Sequence, residues 1–349
     1  MSRDRSMFVA AFACGLFLFT LSARCGAAEG NASGSAAANW VRVAEQTSWT
    51  PRDSCVECVF RDRMWLLGGW VDSFHEPPRD VWSSADGVNW QRSSEQAPWK
   101  HSDFAMSTVY RDRMWIMGGW HNGRLPDASA SNQVWSSSDG AQWQQVTDRA
   151  AWSARMAAGC VVFQNKMWIL GGTEQYYFGS DASLRNDVWC SEDGKEWKLV
   201  TAQAPWAARA YHAAVAFDGK LWVYGGGNYL PNYAALNDVW CSADGVTWTE
   251  VTKHAAWSPR IWFSAAVYRD RMWVLGGWSN NPSENWNDVW YSKDGRTWTA
   301  LPTRDVWKKR HEHSVFVFQD RLWLTAGHAQ PLSNEVWRLD LPSDWHPAD

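Results

Sequence analysis

Tryptophan recurs in this chain at fixed intervals, and those intervals restrict the fold more than any other feature of the sequence. Six Trp follow Met or Leu: Trp65, Trp115, Trp168, Trp222, Trp273 and Trp323. Each has another Trp sixteen residues before it: Trp49, Trp99, Trp152, Trp206, Trp257 and Trp307. A third set follows Val, at Trp82, Trp135, Trp189, Trp240, Trp290 and Trp337. A fourth lies eight residues further on, at Trp90, Trp143, Trp197, Trp248 and Trp298. Self-similarity with a period of about fifty residues marks a repeat architecture in which each unit covers its neighbour. Six units are present, and the constant offset of sixteen leaves no room for insertions between the first two sets.

The fourth set is one short. After Trp337 the chain reads RLDLPSDWHPAD, with no Asp-Gly-x-x-Trp, whereas Asn39-Trp40-Val41-Arg42-Val43 precedes Trp49 as Thr247-Trp248-Thr249-Glu250-Val251 precedes Trp257. Trp40 therefore stands for the missing member, which suits a closed ring whose earliest strand completes the last unit. Within one unit, Ser264 to Tyr268, Met272 to Leu275, Val289 to Tyr291 and Thr297 to Leu301 are short apolar or β-branched runs. Arg269-Asp270-Arg271, Gly276-Gly277 and Asp294-Gly295 separate them, so each unit reads as four antiparallel strands. Strands apolar on both faces need cover on both, and sheets packed face to face around an axis supply it.

The Gly-Gly after the second strand and the Asn-Asp-Val-Trp of the third (Asn186 to Trp189, Asn237 to Trp240) resemble kelch repeats. The resemblance covers nearly all of the chain from Asn39 onward. Ala326-Gly327 departs from the Gly-Gly pattern, and hairpins such as Ser242-Ala243-Asp244-Gly245-Val246-Thr247-Trp248 are similar to a shortened Asp-box. The expected fold is all-β: a six-bladed kelch-type β-propeller over 39–341, its last blade closed by the N-terminal strand, with 342–349 as a C-terminal tail.

Residues 1–28 are expected to be a signal peptide. Arg3 and Arg5 precede an apolar stretch from Met7 to Leu21, and small residues follow at Cys25 to Ala28. The stretch is short for a membrane span, which needs about 20 apolar residues. Residues 29–38 form a small-residue linker. The expected compartment is the secreted or periplasmic space, with no stable membrane insertion after cleavage. The chain carries a net charge of −4, and loss of residues 1–28 would remove three Arg and one Asp, leaving about −6. Nucleic acid is thus not an expected partner. Cys55, Cys58, Cys160, Cys190 and Cys241 remain, an odd number, and read mostly as small buried residues.

The first-to-second-strand turns and the Asp-Gly hairpins lie on one face and are tight. The second-to-third-strand loops, Trp70 to Asp80, Trp120 to Gln133 and Thr173 to Asp187, share the opposite face with the connectors and differ in every blade. Binding is expected there. Three features gather on it. An Arg stands three residues after the connector Trp, at Arg52, Arg155, Arg209, Arg260 and Arg310, with Ser102 in the second blade. As a ring these could bind anions; singly, each could tie blades together through backbone carbonyls. Trp70, Trp120, Trp262, Trp278 and Trp286 exceed the repeat pattern and suit stacking on sugars or apolar side chains. Finally, His311, Glu312 and His313 adjoin Arg310, with His328 and His212 nearby by topology; two His without a settled third ligand are a weak metal signal.

No cofactor is implied. Galactose oxidase is a kelch propeller, but its copper chemistry needs ligands that no motif here supplies. A six-bladed kelch sialic-acid epimerase is a nearer analogue; the resemblance would then require an acid–base pair beside anion-binding Arg, for which Glu57, Glu312 and His212 beside Arg209 and Arg310 are the candidates. A sialidase would require a Tyr–Glu pair, with Tyr211 a candidate by location. Fold analogy does not grant activity. The expectation is a binding module for an acidic glycan or acidic protein segment, using the five arginines, Trp70, Trp120, Trp262, Trp278, His212, His311 and Glu312. A carbohydrate-active enzyme of the sialic-acid mutarotase or epimerase type is the alternative, and a structural envelope protein the third reading.

Overall fold

The structure, a computed structural model, describes residues 37–177 and 180–345. The expected signal peptide at 1–28, and most of the linker, lie outside the described residues. Six four-stranded antiparallel sheets carry the repeats, and two short two-stranded ribbons decorate their loops, among the described residues. The fourth blade is typical: Ala213–Phe217, Lys220–Tyr224, Val239–Ser242 and Trp248–Thr252 pair in that order. The first strands touch in sequence around the ring, and Ser314–Phe318 of blade six returns to Val56–Phe60 of blade one. No helix among the described residues is long and apolar enough to cross a membrane.

Closure follows the tryptophan spacing. The strand Asn39–Ala44 pairs antiparallel with Val336–Asp340, placing Trp40 opposite Leu339 and Arg42 opposite Trp337. Trp40 then meets the connector Trp307 edge-on, with ring centroids 6.2 Å apart. The five other blades repeat that pair, as in Trp49–Trp90 at 5.9 Å and Trp206–Trp248 at 5.8 Å. Edge-to-face indoles match a positive ring rim to a negative ring face, for about 1 kcal/mol each beyond their burial.

The Asp-Gly hairpins explain why the pattern tolerates so little change. In the third blade Asp193 Oδ1 accepts the backbone N–H groups of Lys195 and Glu196 at 2.9 Å each, and Trp197 Nε1 donates to Gly194 O at 3.0 Å. Gly194 has φ +75, and a Cβ there would lie 2.2 Å from the Trp115 ring of the preceding blade. The sixth blade has no such turn to cover Trp273 of the fifth. Trp345 takes that place, 5.8 Å from Trp273 and 5.3 Å from Tyr291, so part of the expected tail is packed against the propeller.

Candidate functional site

The five repeat arginines do not form a free cationic entrance. Arg52, Arg155, Arg209, Arg260 and Arg310 are at most 2 % exposed. Arg209 donates to both carboxyl oxygens of Asp238, at 2.6 and 2.7 Å, to Gly225 O at 3.0 Å and to Ala207 O at 2.9 Å. Arg155 holds Asp187, Arg260 holds Asp288 and Arg52 holds Asp80 in the same way, and Arg310 holds one carboxyl oxygen of Glu335. The acidic partner is the Asp of the Asp-Val-Trp segment, or Glu335 in the last blade; each Asp also accepts the following indole, as from Trp240 Nε1 at 2.8 Å, whereas Trp337 Nε1 has no hydrogen-bond partner among the described residues. Burial pushes the Asp187 and Asp238 carboxyls up, but the arginine beside each more than reverses this and keeps them below the usual value. A guanidinium has five N–H donors; the fold occupies all five in Arg155 and most of them in the other four arginines. Blade two changes both members together, with Ser102 bonded to Pro78 O at 2.9 Å and Gln133 receiving Trp135.

Two residues beyond each arginine position is a second ring, which forms the neck of the central channel. Ser54, Phe104, Ala157, Tyr211, Trp262 and Glu312 occupy equivalent positions, and all six have positive φ, with values of 50, 49, 52, 57, 59 and 56. Left-handed backbone in a non-glycine residue is strained by roughly 1–2 kcal/mol. The strain is offset by bonds from blade to blade. Phe104 N–H donates to Ser54 O at 3.3 Å, Ala157 to Phe104 at 3.0 Å, Tyr211 to Ala157 at 3.0 Å, Glu312 to Trp262 at 2.8 Å and Ser54 to Glu312 at 3.1 Å. The turned backbone lets all six residues line the channel.

Above the neck, on the loop face, opens a cavity of about 340 Å³. Trp262 is its central wall: it stacks on His311 at 4.9 Å, and Tyr229 and Trp278 meet it at 4.6 and 5.3 Å. Tyr176 and Tyr177 come from the loop of blade three, and Trp70 from that of blade one. The floor is acidic. Ser54 Oγ donates to Glu312 Oε2 at 2.7 Å and lies 3.2 Å from Asp53 Oδ1. Asp53 and Asp103 sit at the same repeat position in blades one and two, each bridged by backbone to the Trp after Gly-Gly, Trp70 and Trp120. Burial raises all three carboxyls well above the usual range, and each is raised further by a neighbouring acid. Below the neck, Glu57 is pushed up to about 8 by burial, against a bond from Ser314 Oγ at 3.3 Å.

Of the sequence-derived candidates, the cavity brings together Trp70, Trp262, Trp278, His311 and Glu312. Trp120 is 1 % exposed, donates to Gly123 O at 2.9 Å and packs behind the wall, so it offers no stacking face. His212 lies lower, in the channel wall against Trp206 at 6.2 Å, and burial pulls it down to about 3. His311 is likewise held neutral by burial, at about 3, while its Nδ1 lies 2.6 Å from Asn285 Oδ1. His311 and His328 stack at 5.0 Å; among the described residues no group of three His, Cys, Asp or Glu is placed to hold a metal ion. The five described cysteines are all free thiols. Sequence reasoning missed Asp53, Asp103, Tyr176, Tyr177 and Tyr229. Aligning the six connectors would have exposed the two aspartates, since blades three to six carry Met156, Ala210, Ile261 and His311 at that position.

Four-stranded blades with Gly-Gly and Asn-Asp-Val-Trp signatures, closed by the first strand, define a repeat-propeller scaffold. Residues 176–347 match the family described as the KLHDC2/KLHL20/DRC7 Kelch-repeats domain, and with the six-bladed architecture this places the chain among the kelch-repeat β-propellers. Similar segments occur in the flagellar outer-arm dynein alpha chain of Chlamydomonas reinhardtii, 38 % identical over 29 % of this chain and 2 % of that protein. The leucine-zipper-like transcriptional regulator 1 homolog of Drosophila melanogaster is 35 % identical over 34 % of this chain and 12 % of its own length. The human leucine-zipper-like transcriptional regulator 1 is 32 % identical over 30 % of this chain and 13 % of its own. The chain thus spans only a small part of the relatives it matches.

Proposed function

We propose that this propeller is an exported binding module that holds a segment of a partner protein in the mouth on its loop face. The observation that carries the reading is the cavity of about 340 Å³ above the neck, walled by Trp262, Trp278, Tyr176 and Tyr229. Large, stiff aromatic walls around a few convergent polar groups are what peptide anchors use, because they contribute contact area at low entropic cost. Export is supported by Arg3, Arg5 and the apolar run Met7 to Leu21, and secreted or periplasmic placement belongs to this reading. An acidic ligand, glycan or protein, has lost its main support, since the arginines that would bind it are buried in internal ion pairs; Arg124 is the guanidinium that lines the cavity.

Selection from a displayed library of random peptides tests the proposal. Sequences recovered on the purified protein are expected to bind at least tenfold more weakly to a folded Trp278→Ala variant. Recovery of no sequence above background, or of sequences indifferent to Trp278, would contradict it. A carbohydrate-active reading keeps one observation: raised carboxyls at a neck are where acid–base chemistry is found. Anomeric exchange of a sialic acid, abolished by Glu312→Gln, would favour that reading.

A further inference from the structure

The floor of the mouth contains an electrostatic imbalance. Three carboxyl groups, Asp53, Asp103 and Glu312, are gathered around one hydroxyl, that of Ser54. Ser54 has a single proton to donate, and it bonds Glu312 at 2.7 Å and Asp53 at 3.2 Å. Asp103 is 2 % exposed and lines the cavity, yet neither of its carboxyl oxygens accepts a well-formed hydrogen bond; the Ser54 hydroxyl, near enough to lower its pKa slightly, is already directed at Glu312 and Asp53. Among the described residues no lysine or arginine forms an ion pair with any of the three. The nearest cationic candidates are His328, whose Nδ1 is 3.5 Å from Asp53 Oδ2, and His311, whose Nε2 is 3.8 Å from Glu312 Oε1.

Folded proteins rarely leave a buried carboxyl without a donor, because the group loses water and gains nothing. The contrast within this molecule is informative: the five arginine positions each receive an acid, while two acids one residue further on, Asp53 and Asp103, receive no arginine. Aromatic rings line the same cavity. Trp262 and Tyr229 pack at 4.6 Å, and Tyr176 meets Tyr229 at 6.2 Å. Negative ring faces over a carboxylate floor are what an ammonium or guanidinium group selects. The cavity, at about 340 Å³, has the volume to take one long side chain, and its lining already shows the same chemistry, with the exposed Arg124 guanidinium 4.4 Å from the Tyr177 ring centroid.

We propose that the floor of the mouth is a recognition pocket for one cationic side chain, a lysine or arginine of the partner segment, seated between the Trp262–Tyr229 wall and the Asp53–Asp103–Glu312 floor. The assignment rests on the module reading above. It also inverts the charge preference that the sequence suggested. The other titratable or charged groups facing the floor are His311, His328, Tyr176, Tyr177, Tyr211, Tyr229 and Arg124. Burial and mutual repulsion favour the protonated forms of the three acids, and a seated cation would favour their charged forms, so binding is expected to release protons.

The test uses Gly-Ser decapeptides carrying one central Lys, Arg, norleucine or Glu, together with free n-butylamine, titrated into the purified protein by calorimetry. The Lys or Arg peptide is expected to bind at least tenfold more tightly than the norleucine peptide, to weaken with added salt, and to release protons, seen as heats that change with the ionisation enthalpy of the buffer. Asp103→Asn is expected to weaken the basic peptide at least tenfold while raising the melting temperature of the unliganded protein; a merely structural aspartate would lower it. Equal binding of the norleucine peptide, tighter binding of the Glu peptide, or an unchanged affinity in Asp103→Asn would overturn the proposal. Butylamine binding as tightly as the Lys peptide would overturn its polypeptide part. Mouth-binding library peptides without a required basic residue would leave the module reading standing and remove this one. Basic decapeptides that bind through Asp103, with no library sequence recovered, would do the reverse.

Discussion

Two kinds of buried charge behave oppositely here. Each repeat arginine meets a carboxylate and backbone carbonyls, so the charged forms are the satisfied ones. The channel carboxyls meet mostly one another and low-polarity walls, so the protonated forms are favoured. Glu57 makes this measurable. Its carboxyl titrates at about 8 in the folded chain against the ordinary 4.5, because burial penalises its charge. Between those values the folded state binds more protons than the unfolded one, so this residue's contribution to stability falls as pH rises from about 4.5 to 8, by a few kcal/mol in all. His212, held at about 3, acts in the opposite sense below its ordinary 6.5, so the net profile mixes both. The difference between wild type and Glu57→Gln isolates the first effect. Glu57→Gln is expected to gain stability relative to wild type as pH is raised from 5 to 8 in chemical denaturation. A difference independent of pH would contradict the burial of this charge.

At the scale of the element, the Asp-Gly hairpin is the part that fixes one blade against the next. Gly194 supplies φ +75, and the Trp115 ring of the preceding blade fills the space its missing side chain leaves. Gly194→Ala therefore combines backbone strain with a steric clash, and about 2–4 kcal/mol of destabilisation is expected. Gly219 has a similar φ, +67, but nothing within 4 Å of its would-be Cβ, so Gly219→Ala is expected to cost about 1 kcal/mol. Thermal unfolding of the two variants checks the ordering; an equal loss would mean that the blade contact contributes nothing. These hairpins were legible in the sequence because Asp, Gly and Trp recur there at constant offsets. The neck was not. Phe104, Tyr211 and Trp262 adopt left-handed backbone with no glycine to signal it, and only the bonds between blades, absent from any local pattern, hold them there.

For the whole molecule, repetition explains what could be read in advance and what could not. Trp40 betrayed ring closure because a constant spacing makes one absence conspicuous, and the paired strands Asn39–Ala44 and Val336–Asp340 confirm the inference. The same regularity misled at the arginines. A recurring cation near a channel suggests an entrance, yet it recurs with its acid, 28 residues apart for Arg52 and Asp80 and 32 for Arg155 and Asp187. The mouth lies where regularity stops: Tyr176, Tyr177 and Tyr229 belong to loops of unequal length, and Asp53 and Asp103 converge only once the ring exists. A closed ring with its loop-face mouth as the binding surface is the claim on which the rest depends. Hydrogen exchange of the intact protein, alone and with a peptide recovered by the library selection, measures both halves at once. The account predicts that the amides of Asn39–Ala44 exchange as slowly as those of Trp248–Thr252, and that bound peptide slows the segments around Asp53, Asp103 and Glu312 while leaving the Asp-Gly hairpins unchanged. A fast-exchanging first strand, or protection confined to the hairpin face, would contradict it.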